Sequence, residues 1–414
     1  MKNKLLAEMQ SRGYLNQCTD IEKLDKICDS KSISGYIGFD CTASSLHVGS
    51  LLQIMILRLM QKHGHRPIVL LGGGTTLIGD PSGKDTTRKI LKQKEIKKNI
   101  GSIKKVFNRM LKTNNNKTKP IFVNNSEWLT KLNYIQFLRD IGSHFTINKM
   151  LTFDSVKLRL DREQSLSFVE FNYMIFQAYD FLELHKRNNC LLQIGGSDQW
   201  GNIVNGIELI RRVTGNDSYG LTTPLLTNAN GEKMGKTASG AVWLNEDHLS
   251  PYDYWQFWRN VDDRDVIKFL KLFTDLDENF ISECEGKIQT NINDVKIILA
   301  NEATKMLHGQ EKTNIAEQTA KEIFQDKGSA SGMPTLQLNA DSIEDKVYIY
   351  DLIVKMKFAS SKTESRKLIR GNGVKLNKEI VKDEMQSLKL KDLIDANETV
   401  ISVGKKKYFN VKVN

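Results

Sequence analysis

The chain has 414 residues, of which 40% are hydrophobic and 26% charged, and a formal net charge of +11. It is longer than a single domain of roughly 100–200 residues, and its ordinary globular composition excludes a fibre or a disordered chain. No apolar run approaches the roughly 18 residues of a membrane span, and the surplus of cations fits a polyanionic partner such as nucleic acid, or plain solubility.

The start, Met1-Lys2-Asn3-Lys4-Leu5-Leu6-Ala7-Glu8, is basic but lacks an apolar core of leader length. Neither a signal peptide nor a transit peptide is expected. Five cysteines (Cys18, Cys28, Cys41, Cys190, Cys284) form no C-x-x-C pair. That usage predicts a reducing compartment, the cytoplasm, and no structural zinc. Residues 34–39 and 67–71 are apolar strand candidates, each ended by a turn signal, Asp40-Cys41-Thr42 and Gly72-Gly73-Gly74. Between them, Leu51, Ile54, Met55 and Leu59 recur at helical spacing within 50–63. Residues 89–120 hold eleven Lys and Arg against one acid, Glu95. Their apolar positions predict one or two basic amphipathic helices ending in the loop 114–116. A solvated helix face and a phosphate-contacting surface both fit.

Residues 171–182 predict a buried helix, and 191–194 a buried strand running into Gly195-Gly196. Strand–helix–strand alternation predicts an α/β fold with a Rossmann-like parallel sheet, binding ligands beyond the carboxyl ends of its strands. After Pro251 the next proline is Pro334, and the stretch between predicts helices at 252–259, 265–273, 291–308 and 313–325. Gly328-Ser329-Ala330-Ser331-Gly332-Met333-Pro334 reads as a linker. Beyond it, helices near 348–356 and 363–370, a turn at Gly371-Asn372-Gly373, and strands at 374–377 and 408–413 predict a small α+β domain. Residues 341–414 carry a net +5. The predicted division is 1–224 (with the basic 89–120 segment), a loop region 225–250, a helical domain 251–327, a linker 328–342 and a small domain 343–414.

Several segments carry chemistry. Gly79-Asp80-Pro81-Ser82-Gly83-Lys84 is not a phosphate-binding P-loop, because Asp85 follows the lysine where Ser or Thr is required. With Gly72–Gly74 it suggests nucleotide or substrate contact. In the stretch from Asp40 to Ser50, Thr42 and His47 point donors at a helix start where backbone N–H groups already favour an anion, and Gly49 lets a flat ring approach. A histidine there also fits a helix cap. Lys233 and Lys236 of Lys233-Met234-Gly235-Lys236-Thr237 stand three apart after a Gly/Asn-rich loop, a spacing suited to closing over a polyphosphate. Tyr173, Gln177 and Asp180 share one face of the apolar 171–182 helix. A carboxylate there needs a partner. A buried arginine and a substrate phenol are the two candidates, with Tyr36 able to supply a second bond to the latter.

The early histidine motif, paired with a Lys-Met-x-Lys motif about 190 residues later, resembles the signature of class I aminoacyl-tRNA synthetases. With Tyr36-Ile37-Gly38-Phe39-Asp40-Cys41-Thr42-Ala43, Gln177-Ala178-Tyr179-Asp180-Phe181 and Gln193-Ile194-Gly195-Gly196-Ser197-Asp198-Gln199-Trp200-Gly201-Asn202, the chain resembles the bacterial-type tyrosyl-tRNA synthetases over essentially its whole length. The run Ala359-Ser360-Ser361-Lys362-Thr363-Glu364-Ser365-Arg366-Lys367-Leu368-Ile369 resembles a small ribosomal-type RNA-binding fold, with Lys362, Arg366, Lys367 and Arg370 as its RNA contacts.

The resemblance implies tyrosine activation by ATP and transfer to tRNA. Tyr36 and Asp180 would read the tyrosine hydroxyl. Tyr173, Gln177 and Asp80 would bind its ammonium group, and Gln193 and Gln199 would line the same pocket. Gly38, Asp40, Gly49, Ser50 and Asp198 would contact ATP or the adenylate, with Lys236. Thr42, His47, Lys84, Arg88, Lys233, Lys236 and Thr237 would act on the phosphates. It also implies Mg2+ arriving with ATP, no tightly held protein metal, no editing domain and no membrane. A homodimer bridged by one tRNA is implied too, making 89–120 an acceptor-arm surface. The 251–327 helices would face the anticodon. Ser50 stands where many relatives have a second histidine. The competing readings are the tryptophan enzyme of the same subclass and a non-catalytic or additional structured-RNA-binding role. Tyr36 with Asp180 argues against the first, since an indole N–H needs one acceptor and no phenol donor.

Overall fold

The computed structural model describes residues 1–80, 91–231, 234, 236–237, 240–324, 333–340, 346–395, 399–404 and 407–413. The chain divides into two compact units.

The first unit comprises residues 1–235, 243–245 and 262–286. Its centre is a six-stranded sheet of β1 (Gln17–Cys18), β2 (Ser34–Asp40), β3 (Arg66–Gly72), β4 (Ile121–Asn124), β5 (Cys190–Gly196) and β6 (Tyr219–Thr223), in the order β1-β6-β5-β2-β3-β4. All neighbours are parallel except β1, which runs antiparallel to β6. The expected Rossmann-like sheet is therefore present. The chain winds outward from β2 through β3 to β4, then returns to place β5 on the other side of β2. That reversal is the switch point at which open parallel sheets leave a crevice. Pairing between β2 and β5 runs from Ser34 and Cys190 to Tyr36 and Gln193, whereas β2 stays paired with β3 to Asp40. Beyond Tyr36 the two central strands part.

Helices flank the sheet: α1 (Val48–Lys62), α2 (Gln93–Met110), α3 (Phe168–Asn188) and α4 (Trp200–Thr214). The basic segment forms one helix, α2, with Ile96, Ile103, Val106, Phe107 and Met110 buried. Its one acid sits in the first turn, where the Glu95 carboxylate accepts from the Lys92 N–H at 3.0 Å and complements the helix dipole. Helix α3 starts at a capping box in which the Ser167 hydroxyl accepts from the Glu170 N–H at 3.2 Å. It ends at Asn189 in the left-handed region, at φ 48°.

Residues 262–286 cluster with the first unit, although the sequence groups them with a helical domain. The reason is a set of long-range ties. The Arg12 guanidinium donates to the carbonyls of Lys271, Thr274 and Leu276 at 2.6–3.0 Å, and the Tyr14 hydroxyl donates to the Leu272 carbonyl at 2.6 Å. These hold helix α5 (Val266–Phe273) and the chain after it.

The second unit comprises 236–242, 246–261 and 287–414. The helix predicted over 291–308 is present: Asn291 leaves helical geometry at φ −151°, ψ 60°, and this kink separates it from a preceding helix that begins at Glu278. The C-terminal part is α+β as expected. A five-stranded sheet, including Val374–Leu376, Thr399–Val403 and Lys407–Val413, and the helices Ile349–Lys355 and Lys362–Arg370 enclose Leu352, Ile353, Ile369, Ile401 and Phe409. Of the predicted linker 328–342, residues 328–332 and 341–342 lie outside the described residues, while Thr335–Leu338 is not linker but an edge strand of the five-stranded sheet, paired parallel with Lys407–Val413. Among the described residues no helix is long and apolar enough to cross a membrane.

Candidate active site

The crevice between β2 and β5 opens into a cavity of about 370 Å³. Every residue expected to bind tyrosine lines it: Tyr36, Asp80, Tyr173, Gln177, Asp180, Gln193 and Gln199. So do Gly38, Asp40, Gly49, Ser50, Asp198 and His47. Thr42 is exposed and does not line the cavity. Lys84, Arg88 and Lys233 lie outside the described residues. The backbone of Lys236 and Thr237 forms a two-residue strand of the second unit, paired with Gly240 and Ala241.

At the deep end, Asp180 is 2% exposed. The arginine partner open at the sequence level is not its partner. Its carboxylate accepts from the Trp128 indole N–H at 2.7 Å and from the Asn125 amide at 2.8 Å. Burial outweighs these two donors and pushes its pKa up to about 8, so the group is largely neutral at pH 7. Beside it, the Tyr36 hydroxyl is buried and has no hydrogen-bond partner among the described residues. Its pKa is driven well up, first by burial and then by the nearby Asp180 charge. Gln193 Oε1 is likewise buried without a partner. A folded protein rarely leaves such groups unpaired. A ligand carrying a hydroxyl that both donates and accepts answers Asp180 and Tyr36 together.

Asn125 and Trp128 were not legible as site residues. The Asn125 amide also donates to the Thr75 hydroxyl at 3.0 Å, Thr75 donates to Asp40 Oδ1 at 2.8 Å, and the Tyr173 hydroxyl donates to Asp40 Oδ2 at 3.2 Å. One hydrogen-bonded chain thus joins the deep carboxylate to the carboxylate at the end of β2. The glycines at the end of β3 and just after it leave room for side chains of this chain and beside it. A Cβ at Gly72 would sit 2.3 Å from Asp40 Oδ1, and one at Gly73 would sit 2.2 Å from Asn124 Oδ1. Their first role is room for side chains, a reading distinct from phosphate contact.

A second ladder crosses the mouth. Asn202, also missed, donates to Gln177 Oε1 at 3.0 Å and to Gln199 Oε1 at 3.1 Å, and Gln199 Nε2 donates to Asp80 Oδ2 at 3.2 Å. Burial raises the Tyr173 phenol well above its usual range, with Asp40, Asp80 and Asp180 adding to it, so it stays a neutral donor.

His47 caps α1. Its Nδ1 accepts from the Gly49 N–H at 3.0 Å, which puts the imidazole proton on Nε2. The ring folds so closely over the turn that a Cβ at Gly49 would lie 2.7 Å from it. The strip around His47 is clasped by 243–245. The Leu244 N–H donates to the Leu46 carbonyl at 2.8 Å and the Asn245 N–H to the Ser45 hydroxyl at 3.0 Å.

In the C-terminal part, Lys362 pairs with Asp351 at 2.8 Å and Arg370 with Glu384 at 2.9 Å. Arg366 lies over the Tyr350 ring at 4.4 Å, and Lys367 is exposed. The four cations sit on one exposed helix but three are braced by intradomain partners.

The sequence model of the family described as tRNA synthetases class I (W and Y) matches residues 29–325. That of the tyrosine–tRNA ligase SYY-like C-terminal domain matches residues 325–411. The tyrosine–tRNA ligase of Pelagibacter ubique is 59% identical, covering 99% of this chain and 100% of the relative. That of Rickettsia typhi is 52% identical, covering 99% of each. Among solved structures, a C-terminally truncated mitochondrial tyrosyl-tRNA synthetase of Aspergillus nidulans superposes with a TM-score of 0.70 at 30% identity, covering 77% of this chain and 94% of the other. With both family models matched and relatives this similar end to end, the chain belongs to the tyrosine–tRNA ligase family of class I tRNA synthetases.

Proposed function

We propose that the crevice between β2 and β5 condenses L-tyrosine with ATP to tyrosyl-adenylate and pyrophosphate, and then passes the tyrosyl group to the 3′-terminal adenosine of its tRNA. The observation that carries this reading is the buried pair at the deep end, a Tyr36 hydroxyl without a partner among the described residues and an Asp180 carboxyl held by two donors, Asn125 and Trp128. A tyrosine side chain fits there with its hydroxyl on both. Its ammonium group then meets Tyr173, Gln177 and Asp80, and Gln199 and Gln193 fix the remainder. Gly38, Asp40, Gly49, Ser50 and Asp198 take the adenosine side.

No covalent enzyme intermediate is required. A tyrosine carboxylate oxygen bonds to the α-phosphorus as the bond to the bridging oxygen breaks, and pyrophosphate leaves. In the second step the ribose hydroxyl of the tRNA bonds to the tyrosyl carbonyl carbon, and AMP leaves. The protein's part is positioning and charge stabilisation. Nε2–H of His47 is a donor toward the phosphates rather than a base. Thr42, Lys84, Arg88, Lys233, Lys236 and Thr237 are assigned to the same phosphates from their place in the family motifs. Among the described residues no group of three or more His, Cys, Asp or Glu side chains is placed to hold a metal ion. Magnesium enters as part of the substrate, magnesium-ATP.

The further assignments follow. Residues 1–224 form the catalytic domain with 225–250 as its lysine-motif loop, 251–327 lie on the anticodon side, and 343–414 bind tRNA through Lys362, Arg366, Lys367 and Arg370. The exposed cations of α2, among them Lys94, Lys97, Lys98 and Lys105, offer a phosphate-binding face for the acceptor arm. The protein is a homodimer. Large apolar side chains stand exposed over 134–169, with Ile135 71% and Phe168 68% accessible, and such a concentration marks an interface. The cytoplasm fits five free thiols.

The test is charging. With magnesium-ATP and bulk tRNA, each amino acid is supplied singly and the aminoacyl ester measured. Tyrosine alone is expected to be esterified. Esterification of another amino acid, or of none, contradicts the reading.

A further inference from the structure

Asp265 stands at the N-cap of α5. An aspartate there ordinarily spends its carboxylate on the first N–H groups of its own helix. Asp265 makes no such bond. It is 4% exposed, and its Oδ2 accepts instead from the Ala229 N–H at 2.7 Å. Two neighbours grip the same stretch. Lys268 Nζ donates to the Thr227 carbonyl at 2.6 Å, and the Arg264 guanidinium donates to Asn230 Oδ1 at 3.0 Å.

None of residues 224–231 is buried, and bonds within the stretch shape its turn. The Gly231 N–H donates to the Asn228 carbonyl at 2.9 Å, and the Met234 N–H donates to the Leu226 carbonyl at 2.9 Å. Met234 lines the cavity, and its carbonyl lies 3.2 Å from where a Cβ on Gly49 would be. The grip from 264–268 therefore holds the chain at 227–230, a few residues before Met234 at the cavity.

We propose that Asp265 is a positioning residue for the Lys233-Met234-Gly235-Lys236-Thr237 motif, holding the chain that leads into it so that adenylate formation, and not tyrosine binding, depends on Asp265. This rests on the reading of that motif as the pyrophosphate side of the site.

Asp265→Ala should lower kcat for tyrosine-dependent ATP–pyrophosphate exchange by about 10–100-fold, the scale of a small misplacement. The tyrosine Kd, read by equilibrium dialysis, should stay at the wild-type value. Asp265→Asn keeps an acceptor for the Ala229 N–H and should recover most of the rate. Lys268→Met, at a half-exposed position where folding is safe, should cost about 5-fold, one hydrogen bond's worth. Hydrogen exchange over 226–231 should quicken in Asp265→Ala. Wild-type kcat in Asp265→Ala, or a loss matched by weaker tyrosine binding, overturns the proposal. If Asp265→Ala does not fold, an unchanged kcat in Lys268→Met overturns it. If the wild-type protein performs no exchange, the functional reading falls instead. Hydrogen exchange then judges the anchor alone, and unchanged protection at 226–231 counts against it.

Discussion

In the proposed reading, Asp180 is where a single side chain carries most of the specificity. Its burial could be read from the sequence, since it falls on an apolar helix face shared with Tyr173 and Gln177. Its donors could not, because Asn125 and Trp128 lie in Asn124-Asn125-Ser126-Glu127-Trp128, a stretch that reads as a polar loop. They reach Asp180 only through the crossover that places β4 beside β3. The sign of its titration follows from burial. A carboxyl raised from 3.8 to about 8 contributes stability that is complete below pH 3.8 and is lost as pH rises through about 8. A bound phenol adds a third donor and favours the ionised form, so tyrosine binding is coupled to proton loss. At pH 6 to 7, calorimetry in buffers of different ionisation heat should show about one proton released per tyrosine bound, falling to about half at pH 8. Asp180→Asn should release none. Equal proton release in both proteins would contradict this assignment.

At the level of elements, strands β2, β3 and β5 and helices α1, α2 and α3 were legible because their apolar runs and turn signals are strong, whereas helix α4 was not anticipated. The short elements β1, β4 and β6 were not. They have two to five residues and take their identity from neighbours in the sheet rather than from their own pattern. The N-terminal helix Lys4–Ser11 is another case whose role is tertiary. Glu8 accepts from Lys62 Nζ at 2.7 Å and from Arg12 Nε at 2.7 Å, and meets His63 Nε2 at 2.7 Å. Burial alone would raise its pKa. The bonds from Lys62 and His63 and the Arg12 charge prevail and hold it at about 2. The stabilisation is therefore present above pH 4.5 and is lost as pH falls toward 2. Thermal melts of the wild type and Glu8→Gln should differ most above pH 5 and converge near pH 2. Curves separated by a constant interval from pH 6 to 2 would contradict this.

For the whole molecule, the parallel-sheet domain and the α+β C-terminal part were both anticipated, while the boundary between units was not. Residues 262–286 look like part of a helical array by composition, but the Arg12 and Tyr14 bonds commit them to the first unit. No local pattern encodes contacts of more than 250 residues' separation. The exposed apolar side chains between 134 and 169 belong to this scale too. They look like core by hydropathy, yet Tyr134, Ile135, Ile147 and Phe168 are open to solvent. Sedimentation velocity should show a dimer for the wild type and a monomer for Phe168→Asp, since a buried unpaired carboxylate at an interface costs several kcal/mol. A wild-type monomer, or a Phe168→Asp dimer of undiminished affinity, would rule out this face.

The central claim is that a tyrosine hydroxyl is read by Tyr36 and Asp180. It is tested most directly by the ratio of kcat/KM for tyrosine and phenylalanine in ATP–pyrophosphate exchange, compared between wild type and Asp180→Ala. A site built around a substrate hydroxyl rejects the analogue lacking it by about 10⁴–10⁵, a scale for which tyrosyl-tRNA synthetases are themselves the standard illustration. The account predicts a wild-type ratio of that order and a collapse of at least about 100-fold in the variant, as a buried hydrogen-bonded partner is removed. A variant that loses rate on both amino acids equally and keeps the wild-type ratio would contradict it.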